Sequence, residues 1–159
     1  MTTDIITDVK SFTSALFIGE TFDNFLVSEV NITTYNTFTI DGHIKKNFYT
    51  NEEYEELGSP SLSKWSSLKP LCFSIIKGKK LPLSFKIIFC LSKEATVTFL
   101  KENDLDFTVD NINGLFINIK FENNELSYVT GTSLNVFTMD KSLEQAFDSH
   151  ISKFISTHF

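Results

Sequence analysis

The sequence predicts an α+β fold in which helices cover an antiparallel sheet. Short segments with an apolar residue at every second position are typical of strands, and longer segments with apolar residues at helical spacing are typical of helices. Both patterns recur in one order, strand–helix–three strands, over about residues 3–50 and about 82–139, before a C-terminal helix. A length of 159 residues suits one domain. We therefore expect a single domain, 1–159, with an internal structural repeat.

The first half contains one predicted helix. A β-prone segment around Ile5 is followed by Asp8, a good helix N-cap. Apolar residues then recur at helical spacing as far as Gly19, which can end the helix; they are Val9, Phe12, Leu16 and Phe17. Alternation over residues 25–50 predicts three strands, and Asp41-Gly42 predicts a two-residue hairpin before the third of them.

Two helices are predicted between the halves. Residues 50–53 have the sequence Thr-Asn-Glu-Glu, a capping box for a short helix that ends at Gly58. A longer helix begins at residue 66 or 67, has Pro70 in its first turn and ends at Gly78.

The second half begins with a predicted strand over Leu83–Leu91. Ser92 then caps a segment that runs to Asn103, which we predict as a helix. Because residues 96–99 are β-prone, a strand in this segment is the alternative prediction. The remaining predicted elements are strands at 115–121, 126–132 and 134–139, a turn at 122–125, and a helix from Lys141 with Leu143, Phe147, Ile151 and Phe154 on its buried side.

Charge is distributed unevenly along the chain. The net charge is −6, but residues 1–60, 61–101 and 102–159 carry −7, +7 and −6. All fourteen basic residues are lysine, and without arginine the chain lacks bidentate guanidinium clamps for phosphate or carboxylate groups. We interpret the basic middle segment either as an anion-binding face or as a segment that packs between acidic flanks and neutralises them.

The candidate binding residues are lysines of this middle segment. Lys77, Lys79 and Lys80 lie at the C-terminal end of the predicted longer helix, and two more lysines, Lys69 and Lys86, lie nearby in sequence. A helix C-terminus favours lysine through its dipole, which requires no ligand. The other interpretation is a patch that contacts the phosphates of a nucleic acid without reading its sequence. In that case, the first three lysines and at least one of the other two should share one exposed face.

Motifs of known enzymes and cofactor sites are missing. The sequence has no dinucleotide-binding glycine motif, phosphate-binding loop, nucleophile elbow or zinc-binding motif. We therefore expect no cofactor, and the missing motifs favour a protein that is not an enzyme without deciding the question. Cys72 and Cys90 fall in apolar contexts and are predicted to be buried structural thiols. A reactive pair between a cysteine and one of the three histidines stays open.

Residues 104–110 resemble the start of a calcium-binding loop. That loop needs a glycine where this chain has Val109, and a bidentate glutamate where it has Leu115. We therefore expect no metal site here.

The sequence predicts a cytoplasmic protein. Its first residues are acidic where a signal peptide is basic. The longest apolar runs, such as residues 87–91, are far shorter than the ~20 residues that span a bilayer.

Two resemblances concern longer segments. Ile32–Gly42 and Val129–Leu134 resemble an uncharacterised family of unknown function from Firmicutes bacteria, which implies no biochemical activity. The repeated element order is similar to one domain of a DNA polymerase sliding clamp. Residues 115–134 resemble the clamp hairpin that usually ends in a Gly-Thr-Asp-Leu type sequence, with Ser133 at the acidic position. This second resemblance implies a clamp-like fold rather than a function.

These observations favour a binding or interaction protein. Its partner would be an unidentified protein or a second copy of the chain, and the lysines would allow weak contact with an anion or nucleic acid. We expect no membrane partner. The alternative is an enzyme with an unrecognised pocket, which a cleft containing a carboxylate or thiol with a perturbed pKa would favour. A large exposed apolar patch would favour interaction.

Overall fold

The computed structural model describes residues 3–78 and 80–159, and it confirms the α+β prediction. Its one sheet has the strand order β1-β7-β6-β5-β2-β3, with β4 also paired to β2, and the described pairings are antiparallel. The predicted C-terminal helix is present. In chain order, the elements are β1 (Thr3–Ile6), α1 (Val9–Phe17), β2 (Leu26–Thr33), β3 (Thr37–Asp41), α2 (Asn51–Glu56), β4 (Ser63–Lys64), α3 (Trp65–Ile76), β5 (Ser84–Cys90), α4 (Lys93–Glu102), β6 (Ile112–Glu122), β7 (Glu125–Leu134) and α5 (Ser142–His158).

Helices cover one face of the sheet. Alternate residues of β5 point to this face, where the ring of Phe85 lies 5.3 Å from that of Phe17 in α1. Phe89, four residues further along, lies 5.4 Å from the ring of Trp65 in α3. Between them, Lys86 points to the opposite face and is only half-buried. The core therefore lies between the sheet and the helices.

The prediction of three strands after the helix of each half is wrong. His43 forms one isolated bridge with Leu62, and residues 46–48 are a 3-10 turn. After β7, the chain leaves the sheet, so that the side chain of Phe137 is 95% exposed. An alternating pattern forms a strand only where a neighbouring strand accepts its backbone hydrogen bonds. Among the described residues, segments 43–48 and 135–139 have no such neighbour over their length.

The two halves also differ in strand pairing. In the second half, β5 pairs with β6. In the first half, β1 pairs with β7 and not with β2. This difference gives no support to the superposition of the two halves, which stays a prediction.

The hairpin predicted at Asp41-Gly42 is wrong. Residues 34–36 join β2 to β3, and Asp41 is the last residue of β3. At Gly42, the chain passes so close to β2 that a Cβ atom would lie 1.8 Å from the carbonyl oxygen of Val27. The glycine is therefore required for a close backbone approach, not for a turn.

Residues 93–102 form α4, which decides between the helix and strand predictions for this segment. The Oγ atom of Ser92 caps the helix by accepting a hydrogen bond from the backbone N–H of Ala95 at 3.1 Å. Buried Thr96 donates its hydroxyl hydrogen to the carbonyl oxygen of Ser92 at 2.8 Å. The hydroxyl group of this β-branched residue thus has a hydrogen-bond partner within the helix.

Helix α3 begins earlier than predicted, at Trp65. The backbone N–H of Trp65 donates to the carbonyl oxygen of Phe25, and its Nε1–H donates to that of Leu16 at 2.6 Å. Both acceptors lie outside α3, so contacts with the rest of the fold determine where the helix begins. Pro70 consequently lies inside α3 rather than in its first turn.

Candidate functional site

Lys69, one of the candidate lysines, is part of the helical layer. Its Nζ atom donates hydrogen bonds to the carbonyl oxygen of Gly19 at 2.7 Å and to Oδ1 of Asp23 at 2.6 Å. The ion pair holds α3 against the segment that follows α1. An ammonium group engaged in this way is not free to bind an external anion.

Lys86 lies on the other side of the sheet. Its Nζ atom is 3.2 Å from a carboxylate oxygen of Glu29 on the neighbouring strand β2. The structure therefore does not bring Lys86 and Lys69 onto one face.

Lys77 and Lys80 are exposed at the C-terminal end of α3. Within the two described ranges, no ion pair involves either of them. Lys79 lies outside the described residues. Anion contact through this end of α3 stays a prediction, without the support that was expected from Lys69 or Lys86.

The two cysteines are free and buried, as predicted. Burial raises the pKa of the Cys72 thiol to about 12 and also raises the pKa of the Cys90 thiol. Since the thiolate is the nucleophilic form, both groups are poorly suited to chemistry.

His43 and His158 are exposed. The Nδ1 atom of His43 lies 2.7 Å from Asp41, and that of His158 lies 2.8 Å from the carbonyl oxygen of Phe154. Hydrogen bonds from Lys45 and then His43 hold the pKa of the Asp41 carboxyl well below its usual value. Across residues 3–78 and 80–159, no three His, Cys, Asp or Glu side chains are placed to hold a metal ion.

A groove of about 400 Å³ lies between α4, α5 and the segment that joins α1 to β2. We call it the α4–α5 groove. Its lining includes Thr21, Asn24, Phe25, Leu91 and Ser92 from that segment and from the residues before α4. The helices add Ala95, Thr98, Phe99 and Glu102 from α4, and His150 and Phe154 from α5.

Three phenylalanine rings form the aromatic part of the groove lining. Phe99 is buried, and Phe25 and Phe154 are half-buried and meet edge to face with ring centroids 5.7 Å apart. The ring of Phe25 also stacks on the core residue Phe89 at 5.5 Å. A ligand would therefore meet aromatic side chains that are already held in place by packing.

Glu102 and His150 are the ionisable side chains of this lining, and both are exposed at its rim. One side of the His150 ring packs on Phe99, with centroids 5.1 Å apart. Partial burial lowers the pKa of His150; Glu102 acts against this shift, and Lys153 adds to it. This shift favours the neutral imidazole, and Glu102 is the acidic residue of the lining.

A larger hollow, of about 520 Å³, lies on the other side of α4. It is lined only by residues of 97–109, that is, by α4 and the segment that follows it. The α4–α5 groove instead lies where separate parts of the chain converge, as is typical of ligand sites. It is therefore the better candidate.

The sequence did not indicate this groove, because its lining comes from segments that lie far apart along the chain. Residues 95, 98, 99 and 102 share one side of a helix, which is a visible helical pattern. Nothing in that pattern says that residues 21–25 and 150–154 pack beside it. In the sequence, His150 stands out only as one of the three histidines that a cysteine could approach.

The family comparison matches residues 15–158 to a model described as a family of unknown function (DUF5721). The chain belongs to the DUF5721 family. The matched part of this DUF5721 protein includes all eleven lining residues of the groove and all five candidate lysines. No curated protein and no solved structure matches the chain, and no sliding-clamp relative was found. Over the described ranges, no helix combines the length and apolar character that crossing a membrane requires.

Proposed function

We propose that this DUF5721 protein is a binding protein whose α4–α5 groove holds a small ligand with an apolar body. The observation that carries the proposal is the convergence of separate segments on one aromatic-lined space of about 400 Å³. Small-molecule sites are commonly clefts of about 300–1,000 Å³ with apolar walls and a few polar groups. The lining has this composition, with Phe25, Phe99 and Phe154 beside hydroxyl, amide and carboxylate groups.

Binding is better supported than catalysis. An enzyme in this groove would use His150 and Glu102 as its acid and base, since they are the ionisable groups there. Catalytic groups are usually oriented by a further hydrogen bond. Among the described residues, no side-chain hydrogen bond orients either group. An enzyme remains the alternative proposal.

A blocking variant tests the proposal. Ala95 is exposed on α4 and lines the groove, so that Ala95→Trp fills the space without changing the core. The probe is indole, observed by saturation-transfer NMR. Glu94→Trp is the matched control, because Glu94 is the neighbouring exposed residue and lies outside the lining.

We expect indole to bind the unchanged protein and the control, and to lose binding in Ala95→Trp. Absence of binding to the unchanged protein, or equal binding to both variants, would reject the groove as the site.

A second candidate function is weak contact with a polyanion at the end of α3. It is favoured by Lys77 and Lys80, which are exposed and form no ion pair with any residue of 3–78 and 80–159, within the basic segment 61–101. Anisotropy titration with duplex DNA should show binding that falls steeply between low and physiological salt, because counterions are released. Changing Lys77, Lys79 and Lys80 to Gln should abolish it. No binding by the unchanged protein, or binding that the triple variant retains, would exclude this function.

Three further expectations stand as proposals. The single domain with an internal repeat, and its clamp-like character, are supported by the order strand–helix–two strands, which occurs in both halves. A protein partner or self-association is supported by exposed apolar side chains such as Phe137 and Leu81. A cytoplasmic location is supported by the two free cysteines, since disulfides are rare in that compartment.

A further inference from the structure

The charge in the α4–α5 groove has one sign. Glu102 supplies a full negative charge to the lining, and no lysine side chain contributes to it. Lys153 is close enough to influence His150, but lies outside the lining. The wider chain is also acidic, with a net charge of −6. These charges favour a cation over an anion beside Glu102.

The helix dipole acts in the same direction at this end of the groove. Glu102 is the last residue of α4, at the negative end of the helix dipole. Lys101, in the same turn, lines the hollow on the other side of the helix. A positive group beside Glu102 would thus be favoured by the carboxylate and by the backbone.

Aromatic rings complete the arrangement. Phe25, Phe99 and Phe154 line the groove, and the faces of aromatic rings carry negative electrostatic potential. An organic cation over such a face gains a cation–π interaction as well as burial of its apolar part. An anion of the same shape would lose both charge contributions.

We propose that the ligand of the α4–α5 groove is an organic cation with an apolar, ring-sized body, of the class of aromatic amines. This inference rests on the proposed function and specifies its ligand. The apolar body lies against Phe25 and Phe154, and the ammonium group lies beside Glu102 at the end of α4.

Three probes of similar shape test the inference by calorimetry or ligand-observed NMR: tryptamine, neutral indole and indole-3-acetate. We expect tryptamine to bind at least about fivefold more tightly than indole-3-acetate, with indole between them. Glu102→Gln should weaken tryptamine binding about two- to fivefold, as expected for loss of an exposed ion pair. It should leave the binding of indole nearly unchanged. Glu94→Gln removes the same charge from the same helix outside the lining, and should change tryptamine binding less than about twofold.

The outcomes separate this inference from the proposed function. If indole-3-acetate binds as tightly as tryptamine and Ala95→Trp blocks both, the groove is a binding site but the cation inference is wrong. If Glu102→Gln and Glu94→Gln weaken tryptamine binding equally, the preference for a cation comes from the overall charge of the protein, and the inference is again wrong. If no probe binds, the proposed function fails as well.

Discussion

The Nζ atom of Lys69 lies 2.6 Å from Oδ1 of Asp23, and the lysine side chain is only 14% exposed. The same atom donates to the carbonyl oxygen of Gly19 at 2.7 Å. A lysine in a basic segment of sequence is thus used to join α3 to the chain after α1. Position in a charge run did not distinguish this role from that of Lys77, which is exposed.

Lys69→Met should destabilise the fold. The change keeps the apolar stem but removes the charge, leaving Asp23 and the Gly19 carbonyl without their donor. Loss of a charged hydrogen bond in a partly buried site costs about 1–3 kcal/mol in the free energy of unfolding. Lys77→Met, on the exposed end of α3, should cost less than about 0.5 kcal/mol. Urea unfolding measures both, and equal values would contradict the structural role of Lys69.

Gly42→Ala should also be strongly destabilising. The added Cβ would overlap the carbonyl oxygen of Val27, so that the backbone must move apart at a cost of about 2 kcal/mol or more. Gly131→Ala is the matched control, because a Cβ at Gly131 meets nothing within 4 Å. Thermal or urea unfolding that places the two variants within about 0.5 kcal/mol of each other would argue against the close approach.

Sequence patterns predicted correctly the helix start and the turn that are determined by contacts between residues close together in the chain. Asp8 caps α1 by accepting a hydrogen bond from the N–H of Ser11, and Asn123 and Asn124 form the predicted β6–β7 turn with positive φ angles of 54° and 63°. Asp41-Gly42 has an equally good hairpin pattern. There, however, the chain forms no hairpin turn, because Gly42 packs against the backbone of Val27. Val27 lies fifteen residues earlier, beyond the reach of a turn pattern.

The cysteines should be protected from modification in the folded protein. Cys72 and Cys90 are buried and their thiol pKa values are raised, so that a bulky thiol reagent reacts only after local opening or unfolding. Ser74→Cys places an exposed thiol on the same helix as Cys72 and should react rapidly. Native labelling of Cys72 or Cys90 at the rate of this control would contradict their burial.

His150 should titrate below the ordinary value of about 6.5. Its partial burial favours the neutral ring; Glu102 opposes this effect and Lys153 adds to it. The unfolded chain therefore takes up the proton at higher pH than the folded one. The His150 contribution to stability is present above about pH 6.5 and is lost as the pH falls toward the folded-state pKa.

NMR titration of the imidazole measures the folded-state pKa of His150, which should lie below 6.5. In His150→Gln, the loss of stability as the pH falls should be smaller than in the unchanged protein. A pKa for His150 above 6.5 would contradict the packing of its ring on Phe99.

The candidate site shows why function was harder to predict than fold. Phe99 and His150 lie fifty-one residues apart in sequence, yet their rings pack against each other in the lining of the groove, with centroids 5.1 Å apart. The stripe on α4 was equally compatible with core packing, and only the placement of α5 and residues 21–25 leaves space beside it. Such placement depends on the packing of the whole sheet.

Mapping of tryptamine binding by ¹⁵N–¹H correlation NMR is the most direct test of the α4–α5 groove. We expect the largest saturable shifts at amides of 21–25, 91–102 and 150–154, and their loss in Ala95→Trp but not in Glu94→Trp. Shifts confined to the open face of the sheet, shifts that Ala95→Trp leaves unchanged, or no shifts at all would contradict the account.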